Sequence, residues 1–138
     1  MKRLSLSLTA VLMSTFTAAA DEPKPTADTR VFEMRTYYAH PGKMSALHAR
    51  FRDHTVKLFE KHGMTAIGFW SPIDKTEAEE MMVYLLAYPS KEAADKSWKD
   101  FVADPDWIKA KAASEKDGPL VKDVKRKFLS PTDYSKLK

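Results

Sequence analysis

Hydrophobic and polar residues alternate along Val31–Tyr38, a stretch rich in aromatic and β-branched residues. This period of two predicts a β-strand. The predicted faces are Phe32, Met34, Thr36 and Tyr38 on one side, and Val31, Glu33, Arg35 and Tyr37 on the other. His40-Pro41-Gly42 follows and has the composition of a turn, so we expect the strand to end there.

A helical period replaces the alternation from Lys43 to His62. One face of the predicted helix forms a mainly apolar stripe, with residues that recur every three or four positions: Met44, Leu47, Phe51, Thr55, Leu58 and His62. Gly63 then suits the left-handed position that commonly follows a helix. The pattern predicts one amphipathic helix over residues 43–62.

The second half of the chain contains three further predicted strands and a helical region. Met81–Tyr88 (MMVYLLAY) is apolar on both faces, as is typical of a central strand. Ser90 is a suitable N-cap for a helix, and Asp104-Pro105 is a start signal for another. The remaining predicted segments are a strand at Thr65–Ser71, a loop at Pro72–Glu80, a helix end near Gly118-Pro119 and a strand at Leu120–Leu129.

The predicted order is therefore β-α-β-β-α-β within about 100 residues, an α+β fold of the ferredoxin-like type. We expect an antiparallel four-stranded sheet with the helices on one face. The other face needs a cover, and in so short a chain a second copy is the usual solution. The pattern thus predicts a homodimer in which two sheets face each other.

The N-terminus has the layout of a secretory signal peptide. Lys2 and Arg3 precede an uncharged stretch, and Ala18–Ala20 supplies small residues before Asp21. We expect a signal peptide at 1–20, a flexible linker at 21–29 and the folded domain at 30–138. The apolar stretch is short and rich in Ser and Thr, which favours cleavage over a membrane anchor. The expected location is periplasmic or secreted, with no stable membrane insertion after cleavage.

Composition narrows the function classes further. Removing Lys2 and Arg3 from the 23 basic residues leaves 21 against 19 acidic residues, so the net charge of the processed chain is small. No P-loop, GxGxxG or GxSxG motif occurs, and basic and aromatic residues do not interleave to form a basic–aromatic surface. We therefore expect no nucleotide binding, no serine hydrolysis and no nucleic-acid binding. The chain has no cysteine, which excludes disulfides and zinc–thiolate sites.

The run FEMRTYYAHPGKMSALHARF resembles the opening of the NIPSNAP domain, in which a strand of the form FELRTY precedes a Pro-Gly turn and a first helix. The resemblance continues through HTVKLFEKHGMTAIGFW, FVADPDWIKAKAASEKDGPLV and FLSPTDYSKLK, and spans residues 30–138. It implies a dimeric α/β barrel. It implies little about chemistry, because the better-known eukaryotic members are linked to mitochondria, vesicle traffic and mitophagy signalling, and an export signal departs from that setting.

Histidines are the first candidates for chemistry. His54 and His62 are eight residues apart, about 12 Å along a helix, so they cannot share a metal ion. We therefore expect no metal site and no cofactor. His62 has a structural explanation at the end of the helix. His54 lies at the edge of the apolar stripe, where it could reach a helix–sheet cleft and act as a general base.

Aromatic and charged residues suggest a ligand site. Arg35 and Tyr37 share a face of the first strand with Glu33, and a charge network in which Arg35 pairs with a carboxylate is the structural alternative. The candidate ligand-binding residues are Arg35, Tyr37, Trp70, Tyr84 and Trp98. If the Phe32 face meets the helices, Glu33, Arg35 and Tyr37 point into the barrel between two subunits.

Three functional hypotheses follow from these observations. The first is an exported homodimer that binds a small apolar or aromatic ligand in the helix–sheet cleft. The second is a cofactor-independent monooxygenase or isomerase that uses His54, by analogy with other dimeric α/β barrels. The third is a protein-interaction module. The analogy is one of fold only, and fold does not determine function.

Overall fold

The computed structural model describes residues 30–138. The predicted signal peptide and linker lie outside the described residues. The strands are β1 (Val31–Ala39), β2 (Thr65–Trp70), β3 (Met81–Tyr88) and β4 (Val121–Leu129). The helices are α1 (Met44–Arg50), α2 (Val56–Lys61), α3 (Lys75–Glu80), α4 (Lys91–Ala103) and α5 (Pro105–Ser114). No helix within residues 30–138 is long and apolar enough to cross a membrane.

The four strands form one antiparallel sheet in the order β2-β3-β1-β4. The first and third strands occupy its centre, and the second and fourth strands form its edges. This is the strand order of a split β-α-β fold, so the predicted α+β, ferredoxin-like class is confirmed.

The helices cover the face of the sheet that carries Glu33, Arg35 and Tyr37. Phe51 packs edge-on against Tyr37 and against Tyr84 of β3, with ring centroids 5.7 and 5.3 Å apart. The sequence-based assumption that the Phe32 face meets the helices is therefore wrong. The polar residues of β1 point into the helix–sheet layer instead, because buried partners on β3 and α4 satisfy them.

The predicted helix over residues 43–62 contains an irregularity that the pattern does not reveal. Residues Phe51–Thr55 form a π-helical turn between α1 and α2, and the Thr55 hydroxyl donates to the carbonyl of Arg50 at 3.2 Å. One extra residue per turn keeps both Phe51 and Thr55 buried. Gly63 ends the segment with φ +74°, the left-handed conformation that was expected there.

One predicted loop is partly helical. The structure places α3 within the segment Pro72–Glu80, which the sequence predicted to be irregular. Asp74 caps this helix by accepting hydrogen bonds from the backbone N–H groups of Thr76 and Glu77, at 2.9 and 3.0 Å. The helix buries none of its residues, so it lacks the apolar period from which a helix is predicted.

Asp104 organises the junction between α4 and α5, as the Asp-Pro start signal predicted. Its Oδ1 accepts from the backbone N–H of Asp106 at 2.8 Å, and Pro105 occupies the first turn. Its Oδ2 lies 2.7 Å from Lys61 Nζ and 2.7 Å from His62 Nε2. The end of the first helical region is thereby joined to the second.

The opposite face of the sheet is not covered by these helices. Its central positions belong to β1 and β3, where Met34 pairs with Leu85 and Thr36 with Val83. These side chains are partly exposed, whereas their neighbours on the helix face are almost completely buried. Lys125 and Lys127 of β4 also lie on this face, opposite Thr36 and Met34.

Candidate functional site

A buried carboxylate lies at the base of the candidate site. Glu33 is completely buried, and its oxygens accept three hydrogen bonds. The donors are Arg35 Nε at 2.8 Å, the Tyr88 hydroxyl at 2.8 Å and Trp98 Nε1 at 2.7 Å. The three donors come from β1, β3 and α4, so this single carboxylate connects the central strands to the fourth helix.

Arg35 lies between this carboxylate and a cleft. Its guanidinium stacks on Trp98, with Cζ 3.6 Å from the ring centroid, and its Nη1 donates to the Tyr37 hydroxyl at 3.3 Å. Burial opposes the charged form, but Tyr84, Tyr37 and Glu33 together raise the pKa of Arg35 above its ordinary value. Arg35 is therefore a permanent cation held in one orientation.

The cleft opens between the helices and the sheet and has a volume of about 450 Å³. Arg35, Tyr37 and Trp98 line it, as do Phe101 and Trp107. The Phe101 and Trp107 rings lie 4.6 Å apart, and the Trp98 and Phe101 rings 5.4 Å apart. The wall is thus a continuous aromatic surface large enough to contact a small ring system.

The remaining residues that line the cleft make it cationic. They include Lys99, Lys111 and Arg126, and no Asp or Glu lines it. Lys111 is paired with Glu115 at 2.7 Å. Within the described part of the chain, no carboxylate lies within salt-bridge distance of Lys99 or Arg126. The cleft therefore combines aromatic walls with excess positive charge.

Comparison with known proteins identifies the family. The family model of NIPSNAP matches residues 32–136. The chain belongs to the NIPSNAP family. No curated protein matches it.

Solved structures agree with the fold of this NIPSNAP domain. An uncharacterised NIPSNAP-like domain protein from Burkholderia xenovorans is 19% identical, with a TM-score of 0.67 over 78% of this chain and 90% of that chain. A NIPSNAP family protein from Agrobacterium tumefaciens C58 is 18% identical, with a TM-score of 0.68 over 79% and 99%. A second NIPSNAP family protein from that organism, described as having unknown function, is 19% identical, with a TM-score of 0.68 over 82% of this chain and 97% of that chain. At these identities the similarity establishes the fold alone.

The NIPSNAP domain brings together three of the five predicted ligand residues: Arg35, Tyr37 and Trp98 line one cleft. Tyr84 lies in the adjoining core, completely buried, with its ring 5.2 Å from that of Tyr37. Burial raises the pKa of the Tyr84 hydroxyl, which therefore stays protonated. This hydroxyl has no hydrogen-bond partner among the described residues.

Trp70 lies apart from the cleft. It is 53% exposed and belongs to β2, where it pairs with Val83 on the helix-free face. Its ring lies over Gly68 so closely that a Cβ at that position would be 2.7 Å from the ring atoms. Its aromatic ring made Trp70 a candidate ligand residue, but the sequence does not show on which face of the sheet it lies.

His54 also lies elsewhere. It is exposed on the π-helical turn and lines an open groove between the first helical region and α5, together with Lys57, Lys61 and Asp106. It does not reach the helix–sheet cleft, so the expected placement is wrong. Within residues 30–138, no three His, Asp or Glu side chains are grouped so that they could hold a metal ion.

The basic residues of the cleft were not predicted from the sequence. Arg126 is the clearest example, because β4 alternates and Arg126 lies on the opposite face from Lys125 and Lys127. The alternation would have placed Arg126 on the same face as Arg35 if the helix-facing side of the sheet had been known. Lys99 follows Trp98 on α4 and carries no sequence signal of its own.

Proposed function

We propose that this NIPSNAP protein is an exported homodimer that binds a small apolar or aromatic molecule in the helix–sheet cleft of each subunit. One observation supports ligand binding above all others. A cleft of about 450 Å³ has aromatic walls, and the cation at its base is fixed by a fully buried carboxylate. Such a preorganised polar group within an apolar cavity is typical of small-molecule sites.

An uncharged fluorescent probe tests the proposal. N-phenyl-1-naphthylamine gains fluorescence in apolar surroundings, and we expect it to bind in the cleft. Val102 lines the cleft and is 54% exposed, so Val102→Trp should fill part of the cavity and weaken binding at least about fivefold, through lost contact area. Ile108→Trp is the matched control, because Ile108 is 55% exposed on α5 and lies outside the cleft.

Equal probe binding by wild type, Val102→Trp and Ile108→Trp would contradict a ligand site in this cleft. It would indicate that the probe binds another apolar surface, such as the helix-free face of the sheet. Native mass spectrometry of gently purified protein supplies a second measurement. A small molecule retained by the wild type and by Ile108→Trp, but lost from Val102→Trp, would support the proposal.

The homodimer and export parts of the proposal rest on separate features. The helix-free face carries partly exposed Met34, Val83 and Leu85, and covering such a face with a second sheet is the usual solution in this fold. The signal-like segment at residues 1–20 supports export. Fractionation of cells that produce the full chain, followed by N-terminal sequencing, should recover a periplasmic or secreted form that begins at Asp21.

A further inference from the structure

Two arginines lie side by side on the sheet wall of the cleft. Arg35 on β1 is directly opposite Arg126 on β4, and both line the cavity. Side chains at directly opposed positions of an antiparallel pair are about 5 Å apart at Cβ, and like charges placed there destabilise the pair. The arrangement requires an explanation, since a neutral residue at position 126 would remove this cost.

Glu33 does not neutralise the positive charge of Arg126. Its two oxygens already accept three hydrogen bonds, and Arg35 is the only arginine among the donors. Its complete burial below Arg35 also keeps it from the mouth of the cleft, where Arg126 is exposed. The carboxylate therefore balances Arg35, and Arg126 has no carboxylate partner among residues 30–138.

The other basic residues add to the excess of positive charge in the cleft. Lys99 lies on the exposed side of α4 next to Trp98 and lines the same cavity. Like Arg126, it has no carboxylate within salt-bridge distance in the described part of the chain. Two uncompensated cations thus lie beside a fixed third one, at the edge of an aromatic wall. An anionic oxygen between them would replace repulsion with charge-assisted hydrogen bonds.

We infer that the ligand of this cleft is a small aromatic carboxylate whose carboxylate group is bound between Arg35 and Arg126 and whose ring packs on Trp98, Phe101 and Trp107. This inference rests on the proposed function and specifies its ligand class. The volume of about 450 Å³ accommodates a molecule of one or two rings. Arg126 is the residue that determines specificity for the anion, and Arg35 orients it.

Two isosteric probes test the inference. 1-Naphthoate and 1-naphthamide have nearly the same shape and differ in charge, and isothermal titration calorimetry measures the affinity of the purified protein for each. We expect the wild type to prefer naphthoate by at least about tenfold, the value of one charge-assisted hydrogen bond. Arg126→Gln should reduce this preference to less than about threefold, mainly by weakening naphthoate binding.

Lys109→Gln is the matched control. Lys109 is exposed on α5, lines the separate groove that contains His54 and loses the same single charge. The control should keep the preference for naphthoate. The sign of the change in Tm distinguishes this role from a structural one. Without ligand, Arg126→Gln should raise Tm by roughly 1–4 °C, because repulsion from Arg35 is removed, whereas loss of a stabilising residue would lower Tm.

The outcomes separate the inference from the proposed function. If N-phenyl-1-naphthylamine binds in the cleft but naphthoate and naphthamide bind equally, the carboxylate inference is wrong and the proposed function stands. Equal loss of naphthoate preference in Arg126→Gln and Lys109→Gln would also overturn the inference, because net charge would then be the cause. If N-phenyl-1-naphthylamine itself does not bind in the cleft, the proposed function fails.

Discussion

The indole N–H of Trp98 donates to the Glu33 carboxylate at 2.7 Å, and this bond connects α4 to the central strand of the sheet. The Arg35 guanidinium stacks on the same indole ring, with Cζ 3.6 Å from the ring centroid. One aromatic side chain therefore contacts both members of a buried ion pair. Because the pair also lies at the base of the cleft, the proposed ligand binding and the stability of the fold depend on the same three residues.

Replacing Glu33 with glutamine should destabilise the protein strongly. Glu33→Gln keeps the shape but removes the buried negative charge, which leaves the Arg35 cation uncompensated and places an amide N–H₂ group against a donor. Breaking a buried pair from one side costs about 3 kcal/mol of unfolding free energy. Urea denaturation followed by circular dichroism measures this. Glu60→Gln, at an exposed position of α2, should change the unfolding free energy by less than about 0.5 kcal/mol.

Two buried tyrosines on β3 provide a matched pair of variants. The Tyr88 hydroxyl donates to Glu33 at 2.8 Å, so Tyr88→Phe should lower the unfolding free energy by about 2 kcal/mol. The Tyr84 hydroxyl is equally buried but has no partner among the described residues, so Tyr84→Phe should be neutral or slightly stabilising. Equal destabilisation of both variants in urea denaturation would contradict the hydrogen-bond assignment.

The sequence pattern predicted the four strands, the main helical regions and part of the site, but not α3 or the π-helical turn. Period and turn chemistry located all four strands, and the Asp104-Pro105 signal located the start of α5. Arg35 and Tyr37 were grouped correctly because residues two apart on a strand share a face. Trp98 was predicted to line the same site only because it is one of several aromatic residues that could form an apolar pocket.

The orientation of β1 could not be predicted from its pattern. The Phe32 face is the more apolar one, so hydrophobicity alone directs it towards the helices. The structure reverses this because Glu33 finds donors at positions 88 and 98, far away in sequence. A pattern of single residues contains no information on such partners. The same reversal hid Arg126, whose place in the cleft depends on the orientation of β1.

The Asp104 carboxylate should make the thermal stability of the protein depend on pH. The hydrogen bond from Lys61, followed by that from His62, lowers the pKa of Asp104 well below its ordinary value. A depressed folded-state pKa contributes stability that is present above the unfolded value of about 3.9 and is lost as the pH falls below it. Thermal unfolding monitored by circular dichroism should therefore show Tm falling between about pH 5 and about pH 2.

Asp104→Asn isolates this effect. Asparagine keeps an N-cap acceptor for α5 but cannot carry the charge. The variant should have a lower Tm than the wild type at about pH 7, and the gap should narrow as the pH falls below about 4. Asp106→Asn is the control, since Asp106 is exposed and lies 3.5 Å from Lys61. A gap of constant size across this range would contradict a role for the Asp104 charge.

The helix-free face of the sheet should determine the oligomeric state. Val83 lies at the centre of this face, on β3 opposite Thr36, and is partly exposed in the single chain. Val83→Lys would place a charge where the proposed homodimer buries an apolar side chain, at a cost of several kcal/mol for each buried lysine. Sedimentation velocity at micromolar concentration should then show a dimer for the wild type and a monomer for the variant.

Val124→Lys is the matched control, because Val124 lies on an edge strand opposite Tyr37, on the helix side of the same sheet. A monomeric wild type, or the same sedimentation for both variants, would rule out dimerisation through this face.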